Sequence, residues 1–210
     1  LVFPLGLILV VFAGAELFTG NNAVLVPGAL GRRYGWGKVL RNWGLVYAGN
    51  FIGAAFFAYF LVVLPGVLSS ELWREAACNV AQAKVSMPWL TVFLRGVGAN
   101  WLVCLAVWLG LSTDDAAGRM MGLFFPVMCF VVIGYEHCIA NMFFIPAAIF
   151  AGTDPRYVEL VNSGAAVPLT ADWSKFFIDN LPAVTLGNIV GGAVLVAVIY
   201  CVIHGKVRNS

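Results

Sequence analysis

The chain has 210 residues, of which 61% are hydrophobic and only 10% charged, with a formal net charge of +2 and a mean hydropathy of +0.92. A soluble domain carries about a quarter charged residues, so this composition specifies an integral membrane protein of one domain, and the small net charge excludes a nucleic-acid footprint. The five cysteines, Cys78, Cys104, Cys129, Cys138 and Cys201, are odd in number and contain no Cys-x-x-Cys pair; they read as small buried hydrophobes, not as a disulfide framework or a metal site.

The chain opens at Leu1, directly in an apolar run with no basic stretch ahead of it, which is not the pattern of a signal peptide. Five apolar segments follow, over 1–30, 42–65, 87–111, 120–152 and 180–203. About 20 residues cross a ~30 Å hydrocarbon core, and the second, third and fifth segments fit that length. The fourth, drawn as one straight helix, would run about 50 Å; it contains Pro126, Gly134 and Pro146. The first contains Pro4, Gly6, Gly14, Gly20 and Pro27. Both are predicted to be interrupted helices, which are tolerated at membrane depth where protein or a water-filled cavity surrounds the break.

Charge in the loops predicts orientation. The 31–41 loop carries Arg32, Arg33, Lys38 and Arg41, and the C-terminal tail carries Lys206 and Arg208. Acidic residues, among them Glu71, Glu75, Asp154, Glu159, Asp172 and Asp179, gather in the other loops. The positive-inside bias places the 31–41 loop and the C-terminus in the cytoplasm. With five spans the N-terminus then faces outside, an expectation that points to a further span ahead of Leu1.

The chain repeats itself. "GAELFTGN" (Gly14–Asn21) and "GYEHCIAN" (Gly134–Asn141) share G-x-E-x4-N at an offset of 120. "NWGLVYAGNFIG" (Asn42–Gly53) and "NLPAVTLGNIVG" (Asn180–Gly191) share N-x3-V-x2-G-N-x2-G at an offset of 138. The predicted unit is a broken helix followed by a small-residue helix, with one copy over about 1–65, a second over about 120–203 and the span 87–111 between them. The copies are displaced by an odd number of spans and so point in opposite directions. Paired broken helices in inverted repeats belong to transporters and channels, with the site near the midplane.

The polar residues inside these segments are the candidates for function. His137 lies in a predicted break beside Glu136, with Asn141 one turn on. Imidazole titrates near neutrality and can donate or accept, which suits a pore constriction. Glu16 and Glu136 occupy matching repeat positions; each carboxylate is expected to accept backbone N–H groups freed at its break, although a paired acid and base is a second reading. Thr19 can cap the following half-helix or face His137 across a pore. Lys84, at the end of the third span, is either a snorkelling interfacial residue or a cation at a vestibule mouth. Asn50, Asn100 and Asn188 read as interhelical hydrogen-bonding residues, and Gly49, Gly53, Gly187 and Gly191 as points of close helix approach. Arg95 falls within a span, facing either a subunit contact or the outer interface. His204 reads as interfacial. Phe3, Leu7, Leu17, Phe18, Val103 and Phe130 read either as core or as rings that gate a pore by excluding water.

Five pieces in order, "AELFTGN", "NWGLVYAGN", "AKVSMPWLTVFLRGVGANWLVCLAVW", "GYEHCIANMFFIP" and "NLPAVTLGNIVGG", resemble the formate/nitrite transporter family of formate, nitrite and hydrosulfide channels. The resemblance covers nearly the whole chain. It implies an all-α, aquaporin-like inverted-repeat bundle that assembles as a homopentamer, each protomer with six spans and its own pore. The first segment here resembles the family's second span, so that the family's first span is expected upstream. His137 resembles the central pore histidine, Glu136 its neighbour, and Thr19 the loop threonine facing it. Asn141 and Asn188 resemble pore-side asparagines; Lys84 and Asn100 resemble the vestibule lysine and an asparagine near it. Phe3, Leu7 and Phe130 resemble an outer constriction, and Leu17, Phe18 and Val103 an inner one. Cys138 departs from the serine expected in "GYEHCIAN".

The resemblance implies a multi-pass protein of the inner cell membrane that passes small weak-acid anions with a proton, uses no cofactor and is not an enzyme. An ammonium-type channel also uses a pore histidine, and a water-type channel shares the architecture, but no Asn-Pro-Ala motif is present. A membrane redox protein would want facing histidine pairs, whereas His137 and His204 lie at different depths.

Overall fold

The computed structural model describes residues 2–164 and 168–204, without the side chain of Leu160. Leu1 and the tail cations Lys206 and Arg208 lie outside the described residues. Among these residues every regular element is helical.

The first segment is α1 (Pro4–Ala13), α2 (Phe18–Val24) and α3 (Val26–Leu30). Proline at its start suits α1, where the missing N–H is not needed. Gly14, at φ 67° and ψ 29°, ends it in the left-handed region that glycine alone adopts freely, and the N–H of Ala15 returns to the carbonyl of Val10 at 2.9 Å. The axis bends by 61° before Phe18.

The second segment is α4 (Trp36–Phe56), which continues as wider π turns over Phe57–Val63. A helix that the loop assignment had not anticipated, α5 (Glu71–Val85), then carries Lys84 in its last turn. The third segment is α6 (Trp89–Leu111). The fourth is α7 (Ala116–Ile133) and α8 (Cys138–Gly152). A short α9 (Pro155–Asn162) follows. The last span runs from Trp173 to His204 through α10 (Trp173–Lys175), α11 (Leu181–Ile189) and α12 (Ile199–His204), with π turns at Phe176–Asn180 and Val190–Val198.

Of the candidate breakers in the fourth segment only Gly134 interrupts the helix. Its φ of 79° and ψ of 33° reproduce Gly14, and the N–H of Tyr135 returns to Phe130 at 3.0 Å as Ala15 does to Val10. Pro126 lies inside α7 and Pro146 inside α8. A single proline leaves most of the ladder intact and bends a membrane helix without ending it, whereas the αL glycine ends the helix. The second and fifth segments start earlier than their hydropathy suggests, at Trp36 and Trp173.

Four helical spans, Trp36–Val63, Trp89–Leu111, Ala116–Ile133 and Trp173–His204, are long and apolar enough to cross a membrane, and the bent pair Pro4–Ala13 with Phe18–Leu30 makes a fifth. Leu40, Leu45, Ile52 and Phe56 stand exposed on α4, a surface suited to lipid or to another helix. In the centre, α6 packs against α7 and the last span. A Cβ at Gly96 would lie 2.9 Å from the carbonyl oxygen of Val184, and one at Gly191 would meet the backbone of Val97 and Trp101. These glycines therefore let two backbones touch. Gly49 and Gly53, the counterparts of Gly187 and Gly191 at the 138-residue offset, have nothing within 4 Å.

Candidate functional site

The two breaks are built alike. Residues Leu17 and His137 both sit at φ −122° and ψ 120°, one residue ahead of the following half-helix. At each break one freed N–H and one freed carbonyl meet an asparagine from the small-residue helix. Asn50 Oδ1 accepts the N–H of Phe18 at 3.0 Å, and its amide donates to the carbonyl of Glu16 at 3.1 Å. Asn188 Oδ1 accepts the N–H of Cys138 at 2.8 Å, and its amide donates to the carbonyl of Glu136 at 3.0 Å. The task expected of the glutamates, holding freed N–H groups, thus falls to asparagines. An amide carries a donor and an acceptor side by side and can satisfy both strands of the break, which a carboxylate cannot.

The glutamates bind side chains instead. Glu136 takes the Nζ of Lys84 on both oxygens, at 2.9 and 3.0 Å, and the amide of Asn141 at 2.7 Å. Asn141 also donates to Asn180 at 2.8 Å, and Asn180 to the carbonyl of Lys84 at 2.9 Å. At the first break Glu16 takes the amide of Asn21, which also donates to Asn42 at 2.8 Å. The halves differ at these glutamates. Glu136 is buried with its lysine, whereas Glu16 is exposed and has no cation within ion-pair distance among the described residues.

Between the breaks, Thr19 Oγ1 and His137 Nε2 lie 2.9 Å apart, and both residues are buried. Nδ1 of His137 accepts the N–H of Ala140 at 3.1 Å and so caps α8. An accepting Nδ1 puts the ring hydrogen on Nε2, which then donates to Thr19. The hydroxyl hydrogen of Thr19 is left for another acceptor. Thr19 does not cap α2, whose preceding residue, Leu17, has no side-chain bond.

His137 opens onto a cavity of about 370 Å³. Phe3, Leu7, Leu17, Val103 and Phe130 line it, with Val127, Phe143 and Phe144 beside them, and among the described residues His137 is the only polar side chain in the lining. Phe3 and Phe130 meet edge to face at 5.6 Å. The residues assigned to two separate rings share one apolar cluster. Phe18 lies elsewhere, with its ring 4.8 Å from Tyr47 and 6.1 Å from Trp43.

Asn100 ties the halves together. Its amide reaches the carbonyl of Thr19 at 3.1 Å, Asn22 Oδ1 at 3.1 Å and the carbonyl of Asn188 at 2.6 Å. Asn22 drew no attention as a sequence position, because its neighbour Asn21 carried the repeat motif. Asn42 and Asn180 open the second repeat pair, so their pattern was visible while their partners were not.

Known proteins resemble this chain over nearly its whole length. The family model described as formate/nitrite transporter matches residues 1–202. The probable formate transporter of Methanothermobacter thermautotrophicus is 44% identical over 213 residues, covering 95% of this chain and 72% of that protein. The formate channel FocA of Escherichia coli K12 is 38% identical over 206 residues, covering 96% and 72%. Among solved structures, a pentameric formate channel with formate bound superimposes with a TM-score of 0.84 at 37% identity, covering 96% of this chain and 80% of that one.

Proposed function

This chain belongs to the formate/nitrite transporter family, and from that membership and the geometry of the site we propose that it is a membrane channel for small monovalent weak-acid anions such as formate and nitrite. One observation carries the reading: a buried imidazole, bonded to a threonine, is the only polar side chain among the described residues that line an otherwise apolar cavity. An ion loses its hydration in such a lumen at a cost that an apolar wall does not return. A neutral acid of the same size loses far less.

The site residues take these roles. Lys84 and Glu136 frame one mouth as a paired unit, with Asn141 completing the carboxylate's shell. The anion takes a proton from water at the mouth and enters as the neutral acid. In the cavity it meets the imidazole of His137, whose Nε2–H it can take over from Thr19 as it passes. A proton on Nδ1 and the cap to Ala140 exclude one another, so an imidazole that receives a second proton loosens the start of α8. Phe3, Leu7, Phe130, Leu17 and Val103 keep the lumen narrow and dry, and Phe18 braces the first break from behind. Asn100 and Asn188 hold the breaks in place. The proton leaves again on the far side.

The same reading gives a single channel domain of two inverted copies and a homopentamer, as in the pentameric formate channel. It sits in the inner cell membrane with the C-terminus in the cytoplasm. Uptake of formate, nitrite and chloride into proteoliposomes holding the full-length protein tests it. Fast uptake of both weak acids with chloride excluded supports the channel; equal uptake of chloride refutes the dry neutral-acid path.

A further inference from the structure

Arg95 is the one charged side chain of α6, six residues past Trp89 and therefore about 9 Å along the helix axis. Its Nη1 lies 3.2 Å from Sδ of Met87 and 3.4 Å from the carbonyl oxygen of Gly134. Its own backbone carbonyl accepts the N–H of Glu136 at 3.3 Å. Met87 follows Lys84 by three residues and Gly134 precedes Glu136 by two, so the guanidinium sits over the corner that holds the Lys84–Glu136 pair.

The two cations differ in what balances them. Lys84 is bonded to both oxygens of Glu136, and the side chains are only 15% and 4% exposed. At a distance this pair carries no net charge. Arg95 is exposed and has no carboxylate within ion-pair distance among the described residues. A sulfur and a carbonyl, both met by one nitrogen, leave most of its five donors open. A guanidinium remains charged throughout the working range of pH, and at this depth it requires water or an anion in place of lipid.

We propose that Arg95, not the neutralised Lys84, supplies the uncompensated positive charge that draws the anion to the second break, bonding its oxygens before they reach His137. This rests on the anion-channel reading above. An arginine fork matches the two oxygens of a carboxylate or of nitrite, and the open donors of Arg95 lie beside the Met87 and Gly134 contacts that flank the paired Lys84 and Glu136.

Initial rates of formate uptake by the full-length protein, Arg95→Gln and Arg95→Lys in proteoliposomes, at about 10 mM and about 300 mM ionic strength, test the proposal. Arg95→Gln is expected to lower uptake about three- to tenfold at low ionic strength through a raised KM, with the difference shrinking below about twofold at high salt. Arg95→Lys is expected to recover most of the rate. A glutamine variant with the unchanged KM at both salts overturns the proposal. So does loss of assembly in both variants by size exclusion, which assigns Arg95 to packing. Absence of formate uptake in the unaltered protein overturns the channel reading itself, and this proposal with it.

Discussion

Asn188 stands to the second break as Asn50 stands to the first. Each accepts the backbone N–H two residues after its glutamate, at 2.8 and 3.0 Å, and each donates to that glutamate's carbonyl, at 3.0 and 3.1 Å. Asn188 goes further and donates to the carbonyl of Gly96 at 2.8 Å, so that the break is tied to α6 as well. Replacing Asn188 by Ala leaves the buried N–H of Cys138 and the carbonyl of Glu136 without this partner and unties the break from α6. Each such group costs about 1–3 kcal/mol. Thermal unfolding in detergent is expected to show a larger loss for Asn188→Ala than for Asn50→Ala, because Asn188 is fully buried and Asn50 is not.

Lys84 and Glu136 form a buried pair, and removal of one partner strands the other. Lys84→Met is expected to destabilise the protein by about 3–5 kcal/mol, whereas the double variant Lys84→Met/Glu136→Gln recovers much of that loss. The glutamine keeps an acceptor for Asn141 without a charge. A double variant no more stable than the single one would contradict the pairing.

His137 has two separable tasks, since Nδ1 caps α8 and Nε2 meets Thr19. Asparagine is a good cap, so His137→Asn is expected to keep the fold while losing the contact in the cavity. One lost hydrogen bond corresponds to about tenfold in flux. His137→Ala loses the cap too, at about 0.5–2 kcal/mol in stability. Flux and melting temperature measured side by side separate the two tasks. Equal melting losses for both variants would remove the capping role.

Gly191 lies against the backbone of α6, while Gly49 and Gly53 on α4 have open space around them in the chain. Gly191→Ala forces α6 and the last span apart and is expected to lower stability by about 1–3 kcal/mol, as overpacking does. Gly53→Ala has no such clash within the chain. If Gly53→Ala proves equally damaging in the assembled protein, the α4 face is covered there by another helix.

Much of this site was written in the sequence. The G-x-E-x4-N repeat marked the two stretches that break, although nothing in it singled out Gly14 and Gly134 from the other glycines and prolines of their segments. The repeat N-x3-V-x2-G-N-x2-G located the asparagines that hold them. The offset of 120 pairs Leu17 with His137, so the departure from symmetry that places an imidazole in the cavity was visible too. What escaped depends on contacts between distant segments. No pattern within α6 could tell that Asn100 reaches Thr19 and Asn188 at once. Phe18 and Leu17 are neighbours in a break, and only the direction of the turn decided that Leu17 lines the cavity while Phe18 packs on Tyr47. The helix α5 was missed because its mixed polarity reads as loop, although Ser70 accepts the N–H of Trp73 as an ordinary N-cap.

The proposed function turns on passage of a neutral acid through a dry lumen past His137. The most direct measurement is the initial rate of formate, nitrite and chloride uptake into proteoliposomes between about pH 5 and about pH 8. Above the pKa of a weak acid each unit fall in pH raises its neutral fraction tenfold. Formate and nitrite rates should therefore climb as pH falls, while chloride stays excluded throughout. Rates independent of pH, or chloride carried as fast as formate, would contradict the account.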